Sequence, residues 1–119
     1  MKGQRNKGDY GEEYACRWLQ SKAYNILERN FRYSYYEVDI IAQKGKMIHF
    51  IEVKTRWTCH FGYPEESVDR KKFKSMQEGA AAYMDKLGYY MPIQFDIVSV
   101  RYDGTRTEVF LLEDVYFFR

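Results

Sequence analysis

Two apolar segments joined by a glycine-containing turn constrain the fold of this chain more than any other feature. Residues 36–44 and 47–54 are rich in Ile, Val, Phe and Tyr and flank Gly45-Lys46. Such residues favour strands, and a two-residue loop with Gly at its first central position is typical of a β-hairpin. The loop length fixes the register, because Lys44 must then lie opposite Met47.

This register determines which side chains share a face of the hairpin. Asp39 is predicted to lie opposite Glu52, and Glu37 opposite Lys54, all on one face because side chains alternate along a strand. The other face is predicted to carry a second set of cross-strand neighbours, in which Val38, Ile40 and Ala42 lie against Val53, Ile51 and His49.

The facing pair Asp39 and Glu52 is the strongest chemical signal in the sequence. Two opposed carboxylates repel, and a divalent cation such as Mg²⁺ resolves the conflict by binding their oxygens. Lys54 on the same face could stabilise charge on a phosphate or orient an attacking water. The alternative is that both acids are half-exposed and paired with lysines, but the apolar runs 40–41 and 48–51 favour a buried position, where charges usually have a reason.

A first helix is predicted from about Tyr10 to Ser21. One face of it is apolar and carries Gly11, Tyr14, Ala15, Trp18 and Leu19. Glu12 falls at the edge of that face, whereas Glu13 points to the opposite side. Because Asp9 precedes Glu12 by three residues, the spacing leaves open whether Glu12 closes a capping box with Asp9 as N-cap or binds a metal ion.

The rest of the chain predicts one domain over residues 1–119. An extended stretch covers residues 24–31, a loop covers 55–66, and strands cover 93–101 and 107–112 around an Asp103-Gly104 turn. A second helix is predicted from an N-cap near Ser67 to Leu87, with Gly88 ending it. Its apolar stripe is formed by Phe73, Met76, Ala80, Tyr83, Met84 and Leu87, with Arg70, Lys71 and Lys74 on the far side. The apolar tail, residues 115–118, is expected to pack on the domain or cover a partner.

Composition narrows the function classes only slightly. With 19 basic and 17 acidic residues, the net charge of +2 neither requires nor excludes nucleic acid. Cys16 and Cys59 lack the spacing of a zinc site and predict reduced thiols. No apolar run approaches the roughly 18 residues of a membrane span, and a signal peptide is not expected, so a cytoplasmic protein is the expectation. His49 lies on the face away from the carboxylates, and His60 lies in the loop.

Two segments resemble the D…ExK signature of restriction-endonuclease-like nucleases: residues 37–42 (EVDIIA) and 50–56 (FIEVKTR). More narrowly, the chain resembles the YraN-type family of small bacterial proteins, which is related to archaeal Holliday junction resolvases. Four further matches carry that resemblance: Gly8-x-x-Gly11-Glu12-x-x-Ala15, Arg29-Asn30-Phe31-Arg32, Phe61-Gly62-x-Pro64 and Phe95-Asp96-Ile97-Val98. Tyr36 departs from the pattern, since family members commonly carry glycine there.

The resemblance implies an α/β fold with a restriction-endonuclease-like αβββαβ core, in which a mixed sheet lies between helices and an additional strand follows at the C-terminus. It also implies Mg²⁺, with Mn²⁺ as a substitute, bound by Asp39 and Glu52. Glu12 and the backbone carbonyl of Val53 would be further ligands, and Lys54 would be the catalytic lysine.

The function implied is a metal-dependent endonuclease acting on DNA, with branched or structured DNA as the expected substrate. Arg56, Phe61 and Gly62 would lie near the phosphate backbone. The basic helix face of Arg70, Lys71 and Lys74 is ordinarily only a solvated face, and it contributes to DNA binding if it lies beside the carboxylates. A homodimer is expected by analogy with junction resolvases. The alternatives are a nucleic-acid-binding module that does not cut and a protein-interaction domain.

Overall fold

The helices and strands follow one another in the predicted order, including the additional last strand. A computed structural model describes residues 7–62, 64, 66 and 68–115. Their elements are α1 (Lys7–Ser21), β1 (Asn25–Tyr33), β2 (Tyr36–Lys44), β3 (Met47–Trp57), α2 (Arg70–Leu87), β4 (Ile93–Tyr102) and β5 (Thr107–Leu112).

The strands form one mixed sheet in the order β1-β2-β3-β4-β5. Only the pairing of β3 with β4 is parallel, and the other three neighbouring pairs are antiparallel. A parallel pair needs a crossover connection, which the loop after β3 and α2 supply. The sheet is therefore mixed, as predicted, and β3 is its central strand.

Each helix covers one face of the sheet. The α1 face buries Ala15, Cys16, Leu19, Tyr24, Ile40, Ala42, Ile51, Val98 and Val100. The α2 face buries Val38, Ile41, Ile48, Phe50, Val68, Met76, Ala80, Tyr83 and Ile97. Two glycines let the helices approach closely, because a Cβ on Gly11 would overlap the Thr55 hydroxyl and one on Gly79 would lie 2.8 Å from Val38 Cγ2.

The hairpin has the predicted turn and register. Lys44 pairs with Met47, and Gly45 adopts a positive φ of 62°, which glycine accepts without steric cost. β2 has the predicted bounds, whereas β3 continues to Trp57, three residues beyond the predicted end. The extension follows from its pairing with β4, which runs as far as Trp57 opposite Tyr102.

Both helices begin at other residues than predicted. α1 begins at Lys7, so Asp9 lies inside the helix and cannot be its N-cap, because an N-cap residue has non-helical backbone angles. The apolar periodicity marks only the buried part of a helix, and α1 extends beyond it. α2 begins at Arg70, where Asp69 is the N-cap and accepts a 2.7 Å hydrogen bond from Lys72 N. Ser67, the predicted cap, lies outside the described residues.

Two predicted faces need correction. Tyr14 is exposed and stacks on Tyr10 at the helix surface rather than joining the buried face of α1. Val38 does not share a face with Ile40, because it packs under α2 with its β1 partner Phe31. Ile40 packs under α1, so the alternation of side chains is broken between these two positions.

Several smaller features of the structure bear on the predictions. Gly88 ends α2 with a left-handed φ of 84°, and the Asp103-Gly104 turn connects β4 to β5. Cys16 and Cys59 are free thiols. Of the predicted tail, Val115 packs partly against the α2-side core, and residues 116–118 lie outside the described residues. Neither helix in the described part of the chain is long and apolar enough to cross a membrane.

Candidate active site

The candidate site lies at the end of the β2–β3 pairing, where the two strands separate; this place is called the fork below. Their backbone pairing runs from Lys44–Met47 to Ile40–Ile51 and ends there. The predicted pairs of Asp39 with Glu52 and of Glu37 with Lys54 are therefore not part of the ladder, which corrects the simple extrapolation of the register. Instead, Asp39 Oδ2 accepts a 2.8 Å hydrogen bond from the backbone N–H of Val53. A carboxylate thus takes the place of a strand carbonyl at this fork.

Glu52 lies beside Asp39 and is almost completely buried, with 8% of its surface exposed. Burial, together with the neighbouring charge of Asp39, raises the pKa of Glu52 to about 7, against the lowering effects of Lys72 and Lys54. Burial also raises the pKa of Asp39, although the Val53 hydrogen bond and Lys72 oppose it. Near neutral pH the two carboxyl groups therefore carry more negative charge than their surroundings stabilise, which is the environment of a cation site.

Lys72 is the functional residue that the sequence interpretation missed. Its Nζ lies 3.3 Å from Glu52 Oε1, and its pKa is raised because the charges of Glu52 and Asp39 outweigh the effect of burial. A signal for it exists in the sequence. Lys72 precedes the buried Met76 by four residues, so it extends the inward stripe of α2 rather than the solvated basic face.

Lys54 and Val53 lie close to the two carboxylates. Lys54 is half-buried and lies two residues after Glu52 on the same face of β3, where its charge lowers the pKa of Glu52. The N–H and C=O of one strand residue face the same neighbouring strand. The carbonyl of Val53 is therefore directed to the same edge as its N–H, towards Asp39.

Glu12 belongs to the other helical layer, on the opposite face of the sheet from α2. It lies on α1, half-buried, directly after Gly11, which contacts Thr55 beyond the fork. Its charge acts on Cys16 and Arg29. Among the described residues no three His, Cys, Asp or Glu side chains form a metal cage, so the structure brings Asp39 and Glu52 together but does not bring Glu12 to them.

Glu13, the residue after Glu12, is bound by two arginines. Arg17 and Arg29 bind its carboxylate at 2.9 and 3.0 Å and lower its pKa through hydrogen bonds. Glu13 therefore has two cationic partners at the surface, on the side of α1 away from the carboxylates.

Three buried polar atoms without a hydrogen bond form a row on the α2 face of the sheet. Within the described residues they are Glu52 Oε1, Ser99 Oγ and Arg101 Nε. In the register of the two strands, Lys54 lies opposite Ser99 and Arg56 lies opposite Arg101. Ser99 and Arg101 on β4 therefore continue the face on which Glu52 lies on β3. Each such buried polar group costs about 1–3 kcal/mol, a cost that a polar ligand would offset.

Arg56, Phe61 and Gly62, which are predicted to lie near the phosphate backbone, all have partners within the protein. Two of them are bound by acidic side chains. Arg56 donates a 3.0 Å hydrogen bond to Glu66, and the backbone N–H of Gly62 donates one of 3.2 Å to Glu108. The ring of Phe61 lies under the Arg106 guanidinium, whose carbon is 4.0 Å from the ring centroid. The structure thus places Arg56 on the face of Glu52 and Lys54, and Phe61 and Gly62 beside β5.

The basic residues of α2 lie next to the site. Arg70, Lys71 and Lys74 are exposed on the first turns of the helix, as predicted, and Lys72 between them turns inward to Glu52. The contact of this segment with the carboxylates is thus made by Lys72, and the role of the three exposed residues in DNA binding stays a prediction.

The residues at the fork fit a hard divalent cation. Mg²⁺ is commonly held by one or two carboxylates with water completing its shell. Asp39 and Glu52 supply two carboxylates, of which Glu52 Oε1 has an ionic contact but no hydrogen bond, and the Val53 carbonyl faces the same edge. Such an arrangement could bind the ion and, through it, a phosphate.

Comparison with known proteins identifies relatives over most of the chain. The model of the "Uncharacterised protein family UPF0102" matches residues 11–100. A UPF0102 protein of Syntrophomonas wolfei is 39% identical over 106 residues, which cover 88% of this chain and 92% of the relative. One of Clostridium perfringens is 39% identical over 112 residues, covering 92% of each chain. One of Dictyoglomus thermophilum is 44% identical over 94 residues, covering 78% of this chain and 80% of the relative. These matches support the YraN-type resemblance, and they show that the chain belongs to the UPF0102 family.

Proposed function

We propose that this protein is a metal-dependent endonuclease that hydrolyses DNA phosphodiester bonds. The observation that carries the proposal is the buried Glu52 beside the half-buried Asp39, with the charges of Lys54 from a strand and Lys72 from a helix acting on Glu52. Carboxylates beside cationic side chains supply a cation site and stabilise phosphate charge, which are the two requirements of phosphodiester hydrolysis.

The roles of the residues follow from their positions. Asp39 and Glu52 hold Mg²⁺ or Mn²⁺, with the Val53 carbonyl as a further ligand and Glu12 approaching from α1. When bound, the ion lowers the pKa of a water molecule and neutralises phosphate oxygens. Lys54 orients the attacking water or stabilises the charge that develops on the phosphate. Lys72, which is paired with Glu52 in this structure, would be free to bind a phosphate if a cation neutralised that carboxylate.

The architecture supports the same proposal. The element order, the mixed sheet and the helices on both faces agree with the core implied by the resemblance to restriction-endonuclease-like nucleases. Fold alone does not establish activity, and the chemistry of the site is therefore the main support for the proposal. We further propose branched or structured DNA as the substrate, a homodimer as the assembly and the cytoplasm as the location.

DNA contacts are assigned to two groups of residues. Arg70, Lys71 and Lys74 bind the phosphate backbone beside the site, where their exposed charges border Lys72. Arg56, Phe61 and Gly62 lie further along the same end of the sheet, and their contacts with Glu66, Glu108 and Arg106 would have to be exchanged for contacts with DNA.

A cleavage assay tests the proposal. Duplex, single-stranded and four-way-junction DNA are incubated with the full chain and Mg²⁺ or Mn²⁺, and we expect cutting that Asp39→Ala lowers at least a hundredfold. Asp85→Asn, an exposed acid on α2, is the matched control and leaves cutting unchanged. Absence of cutting on every substrate, or equal cutting by Asp39→Ala, contradicts the proposal.

The same samples separate the alternatives. Salt-sensitive DNA binding without metal-dependent turnover would indicate a nucleic-acid-binding module. Absence of DNA binding together with stable self-association would indicate a protein-interaction domain.

Thermal unfolding with and without Mg²⁺ tests cation binding independently of DNA. A cation that binds only the folded state raises the free energy of unfolding, by about 2.7 kcal/mol at a hundred times its dissociation constant.

A further inference from the structure

A groove of about 530 Å³ lies between the β1–β2 turn and the first turns of α2. Tyr35 and Tyr36 line one side of it, and Lys71, Lys72 and Lys74 line the other. The aromatic and cationic walls therefore face each other across a space large enough for a small planar group with an attached anion.

The groove is continuous with the candidate active site. Lys72 lines the groove and also contacts Glu52 Oε1 at 3.3 Å. Ser75, another lining residue, accepts a 3.1 Å hydrogen bond from the backbone N–H of Glu37 on β2, two residues before Asp39. An occupant of the groove therefore lies next to any group held by Asp39 and Glu52.

The most exposed ring in the groove is that of Tyr35. The side chain lies in the turn between β1 and β2 and is 91% exposed, although a large aromatic surface in water is unfavourable. Its neighbour Ser34 has a positive φ of 57°, so a tight turn holds the backbone on which the ring is presented. An aromatic platform on a short turn is suited to stacking with a flat partner.

The charges in the groove select an anionic partner. Lys71, Lys72 and Lys74 line the groove together with Asp69, whose carboxylate accepts the Lys72 backbone N–H at 2.7 Å as the helix cap. Lys72 is also paired with Glu52, and Lys74 lies 3.4 Å from Glu78 in an exposed ion pair that a phosphate can replace at little cost. Lysines that track a phosphate backbone beside an aromatic ring are the combination that binds single-stranded nucleic acid.

We propose that this groove binds an unpaired nucleotide next to the phosphate at the Asp39–Glu52 site, with its base stacked on Tyr35 and its phosphate bound by Lys71 and Lys74. The inference rests on the proposed function and deepens it. A paired base within a duplex already stacks on both faces, so only an unstacked base offers a free face to Tyr35. The substrate class is then nucleic acid with a single-stranded segment adjoining the cleaved bond, such as an overhang, a flap or an opened branch.

The test compares two labelled probes in EDTA, where binding is measured without cutting. One probe is a blunt duplex, and the other is the same duplex with a short single-stranded extension that contains 2-aminopurine. Fluorescence anisotropy gives the dissociation constants, and quenching of 2-aminopurine reports stacking. We expect the full chain to bind the extended probe more tightly and to quench it.

The variants are chosen so that the fold is retained. Tyr35→Ala is expected to weaken binding of the extended probe about tenfold and to abolish quenching, because loss of base–aromatic stacking has effects of that order. Tyr35→Phe keeps the ring and should behave as the wild type. Tyr90→Ala is the matched control, since Tyr90 is 86% exposed at the far end of α2.

Lys71→Ala and Lys74→Ala test the phosphate contacts. Each should lower the salt dependence of binding to the extended probe by about 0.7 in the slope of log K against log salt. Circular dichroism melting of every variant confirms that the fold is unchanged.

Three outcomes overturn the inference: equal binding by Tyr35→Ala and the wild type, equal weakening for the blunt and the extended probe, or no binding of either probe. The result is separable from the proposed function. Tyr35-dependent binding without cleavage in Mg²⁺ supports the groove and contradicts the endonuclease, whereas cleavage without dependence on Tyr35 does the reverse.

Discussion

Two buried carboxylates on opposite faces of the sheet differ in how completely the protein bonds them. Asp96 on the α1 face contacts His49 Nδ1 at 2.7 Å and accepts hydrogen bonds of 2.9 Å from both Gln94 Nε2 and the backbone N–H of Asp114. Glu52 on the α2 face has a raised pKa of about 7 and an oxygen without a hydrogen bond. Both positions are buried and acidic, yet Asp96 has three polar partners in the chain, whereas Glu52 is balanced mainly by its ion pair with Lys72.

The difference distinguishes a carboxylate that holds the fold together from one whose neighbour opposes its charge. The Asp96 cluster joins β3, β4 and the segment after β5, so each of its bonds stabilises the arrangement of strands. The charge of Asp39 and burial instead raise the pKa of Glu52. Buried groups with perturbed pKa values are candidates for binding or catalytic roles.

The largest expected effect comes from breaking the satisfied cluster. Asp96→Ala leaves His49, Gln94 and a backbone N–H without their partner, and we expect a loss of about 3–5 kcal/mol in the free energy of unfolding. Urea denaturation measures it. Glu52→Gln is the comparison variant and should be at least as stable as the wild type at pH 8. Equal losses in the two variants would show that both carboxylates are structural.

A smaller effect appears in the pH dependence of stability. Because the folded pKa of Glu52 is raised from 4.5 to about 7, the folded state binds more protons than the unfolded state in that interval. Stability from this group is fully present below about pH 4.5 and is lost as pH rises through 7, by up to about 3 kcal/mol. Unfolding measured across this range should show the wild type falling below Glu52→Gln as pH rises, and parallel curves would refute the shift.

The smallest effect is expected at Lys72. Lys72→Met removes an ion pair that is partly exposed to solvent, so the free energy of unfolding should change by less than about 1 kcal/mol. The pKa of Glu52 should rise further, since Lys72 is one of the charges that lower it. Carbon-13 NMR of the Glu52 carboxyl group measures this shift. A pKa that stays the same would show that Lys72 does not neutralise the pair.

Local rules were sufficient for the hairpin turn and for the face of β3 that carries Glu52 and Lys54. Gly45-Lys46 fixed the register, and strand alternation placed Glu52 and Lys54 on one face, because both depend on residues close in sequence. The same rules failed at Val38. The end of the β2–β3 pairing depends on the Asp39 side chain and on contacts with α2, which no periodicity reveals.

Residues that come from distant elements were harder to predict. Lys72 belongs to a basic run whose members look alike in sequence, and only its spacing from Met76 distinguishes it. The ion pair between Arg56 and Glu66 joins a strand to an irregular loop, and the His49–Asp96 contact joins two strands that are 47 residues apart. Such contacts depend on tertiary packing rather than on local propensity.

The hydrogen bond from Val53 N to Asp39 gives the site a built-in reporter. The amide proton of Val53 is bound by a carboxylate whose charge changes whenever a proton or a cation arrives. Its chemical shift and its rate of exchange with solvent will therefore follow the state of Asp39 directly, in the absence of any substrate. The resonance of this one amide can thus be used to follow protonation of Asp39 and the binding of a cation.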